Sequence, residues 1–196
     1  SLKKDDLPAL PGSELEVIEI CRLFSSKKFT SKALIHGEAA EETVKNSELK
    51  NFSYLHFATH GVVDESSPEL SRIYLHASPP AEDGNLYTGE IYNLALKAKL
   101  VTLSACQTGL GKISKGEGVI GLSRALVYAG SESIIVSFWS VADQSTAGLM
   151  KNFYGHLLNS SSQDFSNALK QAKLVLMQDR KYAAPYYWAP FILIGF

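Results

Sequence analysis

Cys106 and His60 have the types and the separation that thiol nucleophile chemistry requires. Cys106 lies in Leu100–Gly109, read as Leu-Val-Thr-Leu-Ser-Ala-Cys-Gln-Thr-Gly. Leu100 to Leu103 is a short apolar run, the pattern of a strand buried on both faces. It breaks at Ser104, and Cys106 follows two residues on. In an open parallel sheet ligands bind beyond the carboxyl ends of the strands, which is where this pattern puts Cys106. A second run, Tyr54-Leu55-His56-Phe57-Ala58-Thr59-His60-Gly61, ends the same way, with His60 before a glycine. His60 and Cys106 are 46 positions apart, room for a strand and a crossover. If both strands run parallel in one sheet, imidazole and thiol emerge on one rim, as an activated cysteine requires. The alternative is that Cys106 only fills a strand end, since cysteine is commonly buried. Its pairing with His60 favours chemistry.

Other candidates carry less. His56 and His60 have the i, i+4 spacing of a zinc pair on a helix. On a strand that spacing is about 13 Å, too far for one ion. No Cys-x-x-Cys supports a metal, so none is expected, and His56 reads as a core histidine. His36 also closes an apolar run but has no nucleophile to serve. Cys21 belongs to the apolar set of its helix and reads as core. Gly109, Gly111, Gly116 and Gly118 with Lys112 and Lys115 suggest a phosphate loop. Yet the P-loop pattern needs glycine where Cys106 stands and Ser or Thr where Ile113 stands, and the dinucleotide pattern needs glycine at Ser114. Both fail, and no cofactor is expected. Gly121-Leu122-Ser123-Arg124-Ala125 lacks the second glycine of a nucleophile elbow.

These residues need a frame. Residues 1–12, with Pro8, Pro11 and Gly12, read as a linker, and Ser13 as the cap of a largely covered helix. A strand over 33–36, a helix over 38–46 and the His60 strand follow. Next come a polar loop over 62–68, a strand over 72–76 and a loop over 78–85 that reads as flexible. A short helix over 91–96 precedes the Cys106 strand. A helix over 117–128 and a strand over 133–138 lead into Trp139-Ser140-Val141-Ala142-Asp143, a third loop at the same rim. Asp143 either serves that rim or caps the helix that runs to about Leu158. A helix capped by Ser162 or Asp164 runs to about Arg180, and a last strand spans 188–196. Alternating strands and helices predict a three-layer α/β/α sandwich around a mostly parallel sheet.

The chain of 196 residues, 45% hydrophobic and 20% charged, suits one well-buried domain. A net charge of −1 gives no electrostatic reason to expect nucleic acid or acidic lipid. Two cysteines make no disulfide framework, so a reducing, cytoplasmic setting is expected. There is no apolar stretch of membrane-spanning length and no signal-peptide core. A first residue of Ser rather than Met hints at a piece of something longer.

Five motifs together resemble one family. They are His-Phe-Ala-Thr-His-Gly (56–61), Leu-Ser-Ala-Cys-Gln-Thr-Gly (103–109), Gly-Glu-Gly-Val-Ile-Gly-Leu (116–122), Phe-Trp-Ser-Val-Ala-Asp (138–143) and Tyr-Trp-Ala-Pro-Phe (187–191). In this order they resemble the CHAT domains, caspase-like domains of the clan of caspases and separases, often joined to tetratricopeptide repeats. The Ala105-Cys106-Gln107 core also matches part of the caspase context, with its His about 50 residues upstream. The resemblance covers roughly residues 10–196, with the domain itself taken as 13–196, and implies a caspase–haemoglobinase fold without the family's usual first strands. It also implies a cysteine endopeptidase with a His60–Cys106 dyad and an oxyanion hole of the Gly61 and Cys106 N–H groups. Asp143 loosely matches an acidic position that selects a basic residue before the cut. The implied partners are a protein substrate and tetratricopeptide-type repeats in the same or another chain. A catalytically silent scaffold on the same fold is the competing expectation.

Overall fold

A computed structural model describes residues 7, 9–46, 49–64, 66–104, 117–139 and 142–195. In chain order its elements are α1 (Pro11–Ser26), α2 (Glu41–Asn46), β1 (Tyr54–Phe57), β2 (Gly61–Val62), β3 (Arg72–Tyr74) and β4 (Asn85–Tyr87). There follow α3 (Thr88–Ile91), β5 (Leu100–Leu103), α4 (Glu117–Tyr128), β6 (Ser133–Ser137), α5 (Asp143–Asn159), α6 (Phe165–Gln178), α7 (Pro185–Trp188) and β7 (Phe191–Gly195). They fall into two compact units, one running from Leu34 to Ser140 with the chain ends, the other combining Ala9–Ala33 with Val141–Leu193.

The first unit is built on β1, β5 and β6, adjacent in that order, with β1–β5 and β5–β6 parallel. Every residue of β5 and β6 is buried, which is why both runs are apolar without alternation. Helix α4 packs on β6. It buries Val119, Leu122, Ala125 and Leu126 and leaves Ile120, Val127 and Tyr128 outside, the spacing of an amphipathic helix. It stops at Gly130, whose φ of 112° is in the left-handed region that favours glycine. The mixed α/β class with a mostly parallel sheet is therefore as the sequence predicts.

Several local expectations need correction. The run 54–61 is not one strand: β1 ends at Phe57, and the chain leaves β5 to begin β2 at Gly61. β2, β3 and β4 form a separate antiparallel sheet. The transfer is made by Tyr74, whose N–H donates to the His60 carbonyl at 2.9 Å and whose own carbonyl accepts the Thr59 hydroxyl at 2.7 Å. Residues 33–36 form no strand; none of Ala33, Leu34 and Ile35 is fully buried, and His36 opens a 3₁₀ turn at φ 50°. The 78–85 loop is tied down rather than loose. Ser78 N–H donates to the Glu82 carbonyl, and Gly84 N–H donates to the buried Glu41 carboxylate at 2.7 Å. Helix α3 is one turn, earlier than the predicted 91–96, because Glu90 reaches back to the Tyr87 N–H at 2.9 Å.

The second unit is helical. α5 packs against both α1 and α6. Its core is Leu149, Met150, Phe153, Tyr154 and Leu157, with Ile20 and Phe24 of α1 and Leu169, Ala172 and Leu176 of α6. Phe24 meets Tyr154 edge-on at 5.6 Å. α1 starts at Pro11, within the stretch read as linker, and is less covered than expected: Leu15 is exposed and Cys21 only half-buried. Asp164 caps α6 by accepting the Asn167 N–H, as predicted. Pro185 opens α7, so the final strand begins at Phe191.

Candidate active site

Each pair in the β1–β5 ladder joins residues 46 positions apart, from Tyr54 with Leu100 to Phe57 with Leu103. His60 and Cys106 are separated by the same interval. His60 is described. Cys106 lies outside the described residues, as do the glycine-rich 109–116 stretch and Ser140 and Val141 of the third rim motif.

His60 stands where the chain crosses from one sheet to the other, so its backbone is held from both sides. Behind it are the ladder to β5 and the 3.1 Å bond from the Ser104 N–H to the Phe57 carbonyl. Ahead are the Tyr74 bond and the Gly61–Ile73 pair. Because Tyr74 N–H bonds the carbonyl of His60, the residue before Gly61, the Gly61–Ile73 pair is a non-hydrogen-bonded one. The Gly61 N–H is thus turned away from β3. Gly61 also lines a small, mostly apolar cavity of about 30 Å³, with Leu103 of β5, Val119 and Leu122 of α4, and Val136 and Ser137 of β6. His56 has a polar partner, as a satisfied histidine requires: its Nε2 lies 3.3 Å from the Ser104 hydroxyl, although the residue is half-buried rather than core.

Asp143 belongs to the second unit. Ala142 is the N-cap of α5 and Asp143 its first residue. The Asp143 carboxylate accepts the backbone N–H of Gly12. That N–H is in the first turn of α1, where amide donors lack helical partners and negative charge is favoured. A Cβ at Gly12 would lie 2.6 Å from Asp143 Oδ2, so any larger residue there must displace the carboxylate. A role for Asp143 as holder of α1 was not legible, because the two residues are 131 positions apart.

The charged centre of the first unit was also missed. Lys45 Nζ bonds Glu41, Glu82 and Glu90 at 2.7, 2.5 and 2.6 Å. One oxygen from each of these carboxylates lies within 4.8 Å of the others, close enough to hold a metal ion, but the Lys45 ammonium stands among them. They line an acidic cleft of about 340 Å³ with Asp83 and Tyr87. Glu41 and Lys45 have the i, i+4 spacing of an ion pair on α2, but nothing in the sequence links that pair to positions 82 and 90. Among the described residues no helix is long and apolar enough to cross a membrane.

The chain is similar to known proteins over almost its full length. Tetratricopeptide repeat protein 28 of Homo sapiens is 34% identical over 218 aligned residues, which take in 95% of this chain. The Mus musculus protein of the same name is 32% identical over the same extent. The chain spans only 8% of the length of either relative. The model of the CHAT domain matches residues 2–196, nearly the whole chain, and the chain therefore belongs to the CHAT domain family.

Proposed function

We propose that this CHAT domain is a cysteine endopeptidase in which His60 activates Cys106. The observation that carries the reading is the register of β1 on β5: the strands leading to the two residues are adjacent, parallel and offset by the interval that separates the residues. A free thiol has a pKa near 8.5, so only a few per cent is thiolate at neutral pH. His60 takes the thiol proton and Cys106 Sγ attacks the scissile carbonyl. The proton passes to the leaving amine as the C–N bond breaks, and water then hydrolyses the thioester. The N–H groups of Gly61 and Cys106 receive the developing oxyanion, each donor contributing roughly 3–4 kcal/mol in the transition state. The direction of the Gly61 N–H, away from β3, supports that role. Asp143 selects Lys or Arg before the cut. Asp143→Asn tests this, since an amide oxygen still accepts the Gly12 N–H while the charge is lost. An unchanged side-chain preference would sink it. Tetratricopeptide-type repeats, in the same or a partner chain, regulate the domain.

The deciding experiment is cleavage of a peptide library by the full-length protein, wild type beside Cys106→Ala, with and without cell extract. Cleavage that vanishes in Cys106→Ala supports the protease. No cleavage under any condition, with Cys106 unreactive toward iodoacetamide, leaves the fold as a protein-interaction scaffold.

A further inference from the structure

We propose that His56 and Ser104 form a positioning pair that sets the spacing of the two strand ends from which His60 and Cys106 follow. The inference rests on the endopeptidase reading and deepens it. The paired ladder of β1 and β5 stops at Phe57 and Leu103. Ser104 closes it with a last backbone bond and adds its side chain to the same point. Its N–H donates to the Phe57 carbonyl at 3.1 Å, and its hydroxyl reaches the same carbonyl at 3.3 Å. The hydroxyl oxygen also lies 3.3 Å from His56 Nε2. A serine has a single O–H to give. Donated to the Phe57 carbonyl, it leaves the oxygen to accept from His56 Nε2; donated to Nε2, it leaves the Ser104 N–H to hold the carbonyl, and the tie closes either way. Ser104 is 6% exposed, so little water competes for these contacts.

The position of the tie gives it consequence. Residue 104 is two before Cys106, and Phe57 is three before His60. Proton transfer between thiol and imidazole needs an approach of about 2.6–3.2 Å, and a displacement of about 1 Å can cost a factor of roughly 100. The pair touches neither substrate nor reacting atom; it acts through the strand ends.

The test follows alkylation of Cys106 by iodoacetamide at pH 7 in the full chain, with mass spectrometry to resolve it from Cys21. The proteins are wild type, His60→Ala, Ser104→Ala, His56→Leu and His56→Gln, with thermal unfolding and peptidase kinetics of each. Ser104→Ala and His56→Leu should slow alkylation about tenfold, toward the His60→Ala rate. The double variant should be no slower than either single one, because both remove the same tie. His56→Gln, whose amide can donate in place of Nε2, should restore much of the rate. In the peptidase assay kcat should fall with KM little changed. If His56→Leu fails to fold, His56→Asn, polar but too short to reach Ser104, must show the same slowing. Wild-type alkylation in Ser104→Ala and His56→Leu, with His60→Ala slowed, overturns the pair and leaves the dyad standing. Wild-type alkylation in His60→Ala, with no Cys106-dependent cleavage, overturns the dyad and the pair with it.

Discussion

Replacing Lys45 by methionine keeps most of the side chain's bulk and removes only its charge, so it isolates the ammonium's contribution. In the native chain three carboxylates converge on Nζ at 2.5–2.7 Å. Without it, like charges no more than 4.8 Å apart face each other. At an effective dielectric of about 20, each such pair repels by at least roughly 3.5 kcal/mol. Glu82 and Glu90 have side chains 22% and 36% exposed and can turn toward water. Glu41, at 1%, cannot, and it must also hold the Gly84 N–H. The cost is therefore that of orphaning one buried charge, about 3–5 kcal/mol. For a chain of this size that lowers Tm by roughly 6–20 °C, at about 2–4 °C per kcal/mol. Circular dichroism melts of wild type and Lys45→Met at neutral pH read it directly. A second signature is specific to the geometry: millimolar Ca²⁺ should raise the Tm of Lys45→Met but not of wild type, because the three oxygens suit an oxygen-seeking cation. The pH dependence has a fixed sign. Burial alone would depress the Lys45 pKa, but Glu41, Glu82 and Glu90 outweigh it and raise it. A raised folded pKa means that the stabilisation is complete below the ordinary lysine value of about 10.4 and lost only as pH climbs through the higher folded one. The gap between wild type and Lys45→Met should thus stay flat from neutral to about pH 10. A Tm loss under about 2 °C would refute the reasoning, since that is the scale of an exposed ion pair.

Two further substitutions test single contacts. Asp143→Ala should cost about 1 kcal/mol through loss of the bond from the Gly12 N–H, and Asp143→Asn less. In a Gly12→Ala background, where a Cβ already displaces the carboxylate, Asp143→Ala should cost almost nothing more; full additivity in chemical denaturation would show that the contact is not shared. Ser123→Ala should stabilise the protein by about 1 kcal/mol. The Ser123 hydroxyl is buried in α4 with no hydrogen-bond partner among the described residues, and alanine removes that cost while favouring helix. A lowered Tm in Ser123→Ala would mean that the hydroxyl has a partner.

What the sequence made legible was local. β5 and β6 announce themselves as unbroken apolar runs because both of their faces are covered. Helix α4 carries a 3.6-residue stripe, and its predicted bounds, 117–128, are those observed. His60 draws attention because an apolar run closing in a polar residue and a glycine is a local pattern. The relation of Asp143 to Gly12 was not, nor that of Lys45 to Glu82 and Glu90. These are polar contacts between distant positions, and hydrophobic periodicity carries no trace of them. The split of 54–61 failed for a related reason. Residues 58–60 keep an apolar-to-polar pattern that a strand would also show, and what turns the chain is Tyr74, far along the sequence.

Tyr74 also links the charged centre to His60. Glu41, held by Lys45, accepts the Gly84 N–H. The Gly84 carbonyl accepts the Leu75 N–H at 2.9 Å, and next to Leu75 the Tyr74 N–H bonds the His60 carbonyl. The β3–β4 hairpin that backs His60 is thus anchored at its loop end by Lys45, whereas β5 and β6 are buried at every position and lie away from that charge. Local opening follows such differences in anchoring. In Lys45→Met the amides of Tyr74 and Leu75 should therefore lose hydrogen-exchange protection by more than those of Ile135 and Val136, which should change only as much as global stability does. Equal loss at all four amides would mean that the unit opens as one body, and that the charged centre stabilises His60 no more than it stabilises the rest.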